Sequence, residues 1–205
     1  MRRSQRTLIS FTVGTMLCFG TTASTVSLLI DGHAVKSSPA PHSPGAFGWL
    51  VPRPAPSNWK QLSLPSGAAG LSYPSEFHPV KGDLGTVSVA VIEHGSYLAY
   101  LNATPQEGDE RLIGWARFRV SHLLDDDAIS VHEDASVEDR LFPGGHGSCV
   151  IDDYVTKVGR HHFREIACIV GGERHVSVVI AAAPPSDWAR FGETFERAIA
   201  SFDVR

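Results

Sequence analysis

Cys149 and Cys168 stand at equal distances on either side of the Val158–Gly159 bond, and that symmetry constrains the fold more than any other feature of the sequence. A chain turned back about that bond lays the two cysteines directly opposite each other on antiparallel strands. The same register sets Ile151 against Ile166, Tyr154 against Phe163 and Asp153 against Arg164, three pairs that favour such partnering. A hairpin stapled by a Cys149–Cys168 disulfide is therefore predicted, and closing a loop of that size stabilises by about 3 kcal/mol when unstrained. One pair is discordant. Asp152 falls opposite Glu165, a juxtaposition that costs stability unless the two are exposed, share a proton or hold a cation. Asp152 and Glu165 are for that reason the candidate polar binding centre.

A disulfide needs an oxidising compartment, and the N-terminal segment supplies a route to one. Arg2, Arg3 and Arg6 precede an uncharged run, Thr7–Ile30, which as a helix is long enough to cross a bilayer core. Two readings of residues 1–30 stand. Leu8–Phe19 with Thr21-Thr22-Ala23 fits a cleavable signal peptide, whereas Val26, Leu28, Leu29 and Ile30 complete the span of an uncleaved signal anchor. The anchor is the favoured reading, because cleavage after Ala23 leaves those residues as an exposed apolar tail. Cys18 lacks the small residues that precede an acylated lipoprotein cysteine and reads as an apolar member of the span. The arginines stay inside and the remainder is delivered outside.

Residues 31–58 form a proline-rich extracytoplasmic linker, with prolines at 39, 41, 44, 52, 54 and 56. Phe47, Trp49, Leu50 and Val51 interrupt it, either as a docking patch for a partner or as a turn that packs on the domain.

Residues 59–205 read as one α+β domain. Lys60–Leu64 and Ala69–Tyr73 flank Pro65-Ser66-Gly67 as a first hairpin; Thr86–Ile92 and Tyr97–Ala103 flank Glu93-His94-Gly95-Ser96 as a second. Ile129–Val137, Cys149–Lys157, Arg160–Val170 and Val176–Ala182 are four further strands. Leu112, Trp115, Ala116, Arg119 and Leu123 mark one face of a first helix, whose start is signalled by Thr104-Pro105-Gln106-Glu107 or by Asp109, and which is expected to stop before Asp126. Trp188, Phe191, Phe195, Ala198, Ile199 and Phe202 form the apolar stripe of a second helix that packs on a sheet. The sum is a twisted, mostly antiparallel sheet covered by helices.

Leu71-Ser72-Tyr73-Pro74-Ser75-Glu76-Phe77, a strand entering a Tyr-Pro-x-x-aromatic turn, resembles the start of PsbP-like domains. Val176–Ala183 followed by Trp188–Phe202 resembles their last strand and last helix. The middle of the chain is similar to exported proteins of actinobacteria, and related domains occur in mycobacterial envelope lipoproteins of the LpqN type. The resemblance covers about residues 59–205 and implies a PsbP-like α/β/α sandwich. It also implies a binding or assembly module with no shared catalytic set.

The remaining motifs carry few groups placed for chemistry. His161-His162, with Glu165 nearby and His146 upstream, is the densest histidine group. Neighbouring strand residues point to opposite faces, so the pair does not bind one ion from a strand, and no metal site or cofactor is assigned. Gly144-Gly145-His146-Gly147-Ser148-Cys149 offers Ser148 as a hydrolase nucleophile, but the order is not Gly-x-Ser-x-Gly and a strand follows instead of a helix. A glycine-rich turn entering a strand explains it better. Asp125-Asp126-Asp127 lacks the glycine and later ligands of a calcium loop. The formal charge is −4 with no basic stripe, which argues against nucleic acid. The expectation is an extracytoplasmic, non-enzymatic interaction or assembly module of the cell envelope, touching the membrane through its N-terminal helix only, with an envelope protein or small ligand as partner. The alternatives are a small-ligand or metal-binding envelope protein and, less favoured, a serine hydrolase using Ser148.

Overall fold

Residues 44–205 are those the computed structural model describes; the expected span Thr7–Ile30, Cys18 and the linker up to Ser43 lie outside them. Both expected N-terminal hairpins form. β1 (Lys60–Ser63) pairs antiparallel with β2 (Ala69–Tyr73), Lys60 opposite Tyr73. After a short β3 (His78–Val80), β4 (Val87–Glu93) pairs with β5 (Ser96–Pro105). In the connecting turn His94 and Gly95 have φ of 51° and 80°, the paired positive angles of a turn whose twist matches that of the flanking strands.

The second half is a meander. β6 (Ala128–Phe142), β7 (Gly145–Thr156), β8 (His162–Gly172) and β9 (Val176–Ala183) follow one another, and β6 runs well past the expected Val137. Three register shifts against β7 let it do so, each adding a residue that bends the strand without ending the ladder. The β7–β8 register is the one read from the sequence: Cys149 opposite Cys168, Ile151 opposite Ile166, Asp152 opposite Glu165, Asp153 opposite Arg164 and Tyr154 opposite Phe163. Cys149 and Cys168 are joined by a disulfide. β3 to β9 form a seven-stranded sheet in the order β3-β4-β5-β9-β8-β7-β6, and β1, β2 and β10 (Asp203–Val204) form a second, three-stranded one. All the pairings are antiparallel.

The first helix, α1, is shorter than its periodicity suggested, Trp115–His122, and is extended by a π turn, Leu123–Asp127. Its start corrects the capping reading. Thr104 and Pro105 belong to β5, where Pro105 lies opposite Ser177, because sheet pairing outweighs a four-residue local signal. The position before the helix is Gly114, at φ 78° with no side-chain cap, so Asp109 is not the cap either. The second helix, α2 (Trp188–Ala200), follows Pro185–Asp187, a single 3-10 turn.

Period-two alternation divides the large sheet into two apolar faces. Val89, Leu101, Cys149, Ile151, Ile166, Cys168, Val179 and Ala181 meet Phe191, Phe195 and Ile199 of α2, with Leu71 of β2, in the main core. Phe77 stands edge-on to Phe191 and Phe195, centroids 6.0 and 6.4 Å away, a geometry worth about 0.5–1.5 kcal/mol per pair beyond area burial. On the opposite face Val150, Ala167, Ile169 and Val178 pack against Trp115 of α1. Phe47 and Leu50 are buried in the main core and Trp49 packs against it, while Val51 is exposed. The backbone NH of Arg53 donates to the carbonyl of Ala200 at 3.2 Å. Of the two readings of that segment, packing on the domain is the one realised, and the packed body begins ahead of Trp59. Among the described residues no helix is long and apolar enough to cross a membrane.

Candidate functional site

The disulfide and the acid pair occupy the same two strands but opposite faces. Cys149 and Ile151 point to α2; Val150, Asp152 and Tyr154, offset by one residue, point to the α1 side. α1 is fixed there by Trp115, whose Nε1 donates to the carbonyl of Ala167 at 2.9 Å. One turn further on, the same helix face carries Arg119, buried like Trp115. Its guanidinium grips Glu165 with two parallel bonds, Nε to Oε1 at 2.6 Å and Nη2 to Oε2 at 2.9 Å. This forked, charge-assisted geometry is the strong form of the interaction.

Both acids are fully buried. Of the three escapes from like-charge cost, the fold uses a cation, and the cation is its own arginine. Glu165 consumes it. Neither carboxyl oxygen of Asp152 has a hydrogen-bond partner among the described residues. Burial first, then the Glu165 charge, holds the Asp152 carboxyl well above the usual carboxylate range, against the lowering effect of Arg119. Burial works against the charge of Arg119 too, yet Glu165 outweighs it and the pKa of the guanidinium is raised. Two phenols complete the cluster. The hydroxyls of Tyr100 and Tyr154 lie 3.1 Å apart, and both phenols are raised chiefly by burial; for Tyr100 the next cause is the charge of Glu165. Phe163 is edge-on to Tyr100 and stacked on Tyr154.

A cleft of about 110 Å³ opens beside the cluster, between α1 and the sheet face formed by β5 and β9. Thr104, Glu107, Trp115, Phe118, Arg119 and Val178 contribute to its wall; Asp152 and Glu165 do not. A solute reaching the cleft therefore meets the guanidinium and not the carboxyls behind it. Asp152 and Glu165 are brought together as the register foretold, whereas Arg119, Tyr100 and Tyr154 were not singled out as members of this centre. One signal was present: Arg119 is a charged residue inside an otherwise apolar helical stripe, between Trp115 and Leu123.

The other motifs are dispersed. His146, near the start of β7, sets its Nδ1 2.9 Å from Asp139 Oδ1. His162 opens β8 at the far end of the hairpin, 3.8 Å from Asp153. Among the described residues no three His, Cys, Asp or Glu side chains gather where they could hold an ion. Ser148 is buried on the α1 side, with no hydrogen-bond partner for its Oγ among the described residues. The glycines before it have a packing role: a β-carbon at Gly144 would collide with the backbone of Val204, and one at Gly145 with the backbone of Gly171.

No family model matches the chain, and no curated protein matches it. Solved structures do. The solution structure of cyanobacterial PsbP (CyanoP) from Synechocystis sp. PCC 6803 is 16% identical over 73% of this chain and 94% of that one, with a TM-score of 0.50. A crystal structure from Bacteroides thetaiotaomicron is 14% identical over 72% of this chain, with a TM-score of 0.45; the chain spans about half, 49%, of its length. LpqN of Mycobacterium tuberculosis, described as involved in cell envelope biogenesis, is 14% identical over 74% of this chain and 80% of that one, with a TM-score of 0.39. At such identities the likeness concerns the fold alone. The chain has a PsbP-like α+β fold.

Proposed function

We propose that the protein works outside the cytoplasm as a non-enzymatic interaction or assembly module of the cell envelope, delivered and either tethered or released by its N-terminal segment. The observation that carries this reading is the fate of the polar residues. Glu165 is bound by Arg119, Asp152 is sealed behind it, and Ser148 is buried without a base on its Oγ. These groups serve the interior, which leaves the surface as the working part. The buried disulfide supports the compartment, and the PsbP-like fold agrees with a binding role.

Photo-crosslinking the full chain in intact cells is expected to capture one or a few envelope proteins. In the same preparation, alkylation without reduction is expected to find Cys149 and Cys168 protected. Free thiols at both positions, or labelling by a serine-reactive fluorophosphonate that Ser148→Ala abolishes, would overturn the proposal.

A second reading, a small-ligand or metal binder centred on Asp152 and Glu165, has the unpartnered Asp152 carboxyl in its favour. It requires a saturable rise in Tm with calcium, zinc or envelope lipid, lost in Asp152→Asn.

A further inference from the structure

Two side chains hold α1 to the sheet. Of its eight residues only Trp115 and Arg119 are buried, whereas α2 buries Phe191, Phe195, Ala198 and Ile199 along one stripe. A helix that short does not persist alone in water, so α1 depends on the Trp115 bond to Ala167 and the Arg119 fork on Glu165. Its ends differ. The first turn has no side-chain cap and is entered through Gly114 at φ 78°, tied by an exposed bond from the Gly114 NH to Glu138 Oε1 at 2.8 Å. The other end is fixed: Leu123 of the π turn is buried against Ala128 and Tyr154, and the Lys157 NH donates to the Asp127 carbonyl at 2.7 Å. Segments with so few buried apolar contacts open before the body unfolds, and the π turn is where this one would hinge.

The seat of Arg119 is oversupplied with acid. The pairings of β6, β7 and β8 place Glu133, Asp152 and Glu165 side by side on the α1 face, one per strand. Three carboxyls thus face one guanidinium. Among the other ionisable groups around them, burial keeps the phenols of Tyr100 and Tyr154 protonated, and Asp153 points to the opposite face, where Arg164 binds it. On α1 itself, His122 pairs with Asp126 and Arg117 is exposed. Arg119 is committed to Glu165, so a docked helix over three charged acids would enclose two negative charges without a cation. One proton on Asp152, fully buried and without a hydrogen bond, halves that excess. Burial, then the charges of Glu165, Asp153 and Glu133, hold the proton there against the pull of Arg119.

We propose that α1 is a proton-gated flap: docked while Asp152 carries its proton, it swings out on the π turn when that proton is lost, uncovering Val150, Ala167, Ile169 and the three carboxyls. The device does not depend on the assembly role proposed above. Its sign follows from the two states of Asp152. In the open flap the carboxyl meets water and titrates near its ordinary value of about 4. The docked flap keeps the proton to higher pH, so docking is favoured in acid and weakens as pH rises, by at most about tenfold in the opening equilibrium per pH unit.

Hydrogen exchange of the full chain between pH 5 and pH 8, read by mass spectrometry and corrected for the intrinsic rate at each pH, tests it. Amides of α1 are expected to be at least about tenfold less protected than those of α2 at every pH, the mark of opening short of global unfolding. Their protection should fall as pH rises, by up to about tenfold per unit. Asp152→Asn should hold α1 near its pH 5 protection throughout. Glu133→Gln, a change at a half-buried position, should leave α1 better protected at pH 8 than in the parent. The proposal fails if α1 is as protected as α2, so that the helix leaves only with the whole fold. It fails equally if α1 protection does not change with pH, or if either variant, once folded, repeats the parental profile.

Discussion

Asp152 and Glu165 face each other across β7 and β8, both fully buried, and only Glu165 is held by a cation, the Arg119 guanidinium delivered by α1. The sheet thus contains an asymmetric pair, one acid ion-paired and one without a hydrogen bond. Such a centre is a poor source of net stability, because desolvating charges costs about as much as their attraction returns. What it does is fix α1 over the cross-linked hairpin.

The asymmetry sets a pH dependence. The Asp152 carboxyl is raised in the folded state, so above its ordinary value near 4 the native protein retains a proton that the unfolded chain has released. Stability is then fully present below that value and falls as pH rises toward the folded one, by at most about 1.4 kcal/mol per pH unit. Asp152→Asn removes the titration. Its Tm should match the parent near pH 4 and exceed it increasingly toward pH 8, as thermal melts across that range will show.

Arg119→Met should have the opposite effect. The substitution leaves two buried carboxyls facing each other with no cation, and breaking one side of a buried pair costs about 3–5 kcal/mol. The loss should be greatest at neutral and higher pH and shrink in acid, where protonation removes the repulsion. Urea unfolding at pH 5 and pH 8 measures the difference. A double variant, Arg119→Met with Glu165→Gln, should recover part of it.

Phe47 gives the boundary of the domain a test. Its side chain lies in the main core although glycines and prolines stand close to it in the sequence. Phe47→Ala should cost about 3–5 kcal/mol, the range for a buried aromatic. A chain beginning at residue 59 should melt well below one beginning at residue 44, since it lacks Phe47, Leu50 and the Arg53 bond to Ala200.

The register of β7 and β8 was legible in the sequence because it is written redundantly, in two cysteines, an apolar pair, an aromatic pair and an ion pair that agree on one fold point. Asp152 and Glu165 followed from that register without further information. Arg119 did not. Periodicity assigns a residue to a helix face but not the depth of that face, and an arginine in an apolar stripe reads equally as a rim residue until the partner strand is known. Thr104-Pro105 misled for a related reason: a capping pattern is local, while the continuation of β5 to Pro105 is decided by β9, some seventy residues on. Phe47 and Leu50 sit among prolines and glycines, so no periodicity marks them and only the finished core shows where they go.

The two phenols allow the polar cluster to be probed without altering its charges. Tyr100 and Tyr154 share one hydroxyl–hydroxyl contact, 3.1 Å long, between a half-buried and a buried ring. Tyr100→Phe or Tyr154→Phe alone leaves the remaining hydroxyl without that partner, at about 1–3 kcal/mol. The double variant replaces both with rings of the same shape and should cost less than the two single changes added together, a coupling that a double-mutant cycle in urea reads directly. Because both phenols are raised, by burial before any other cause, the folded protein should not ionise them in the ordinary tyrosine range near 10. Absorbance titration at 295 nm should therefore show Tyr100 and Tyr154 ionising only together with unfolding, and that lagging fraction should vanish in the double variant. Two phenols that ionise with the exposed ones in the still-folded parent would contradict this enclosed arrangement.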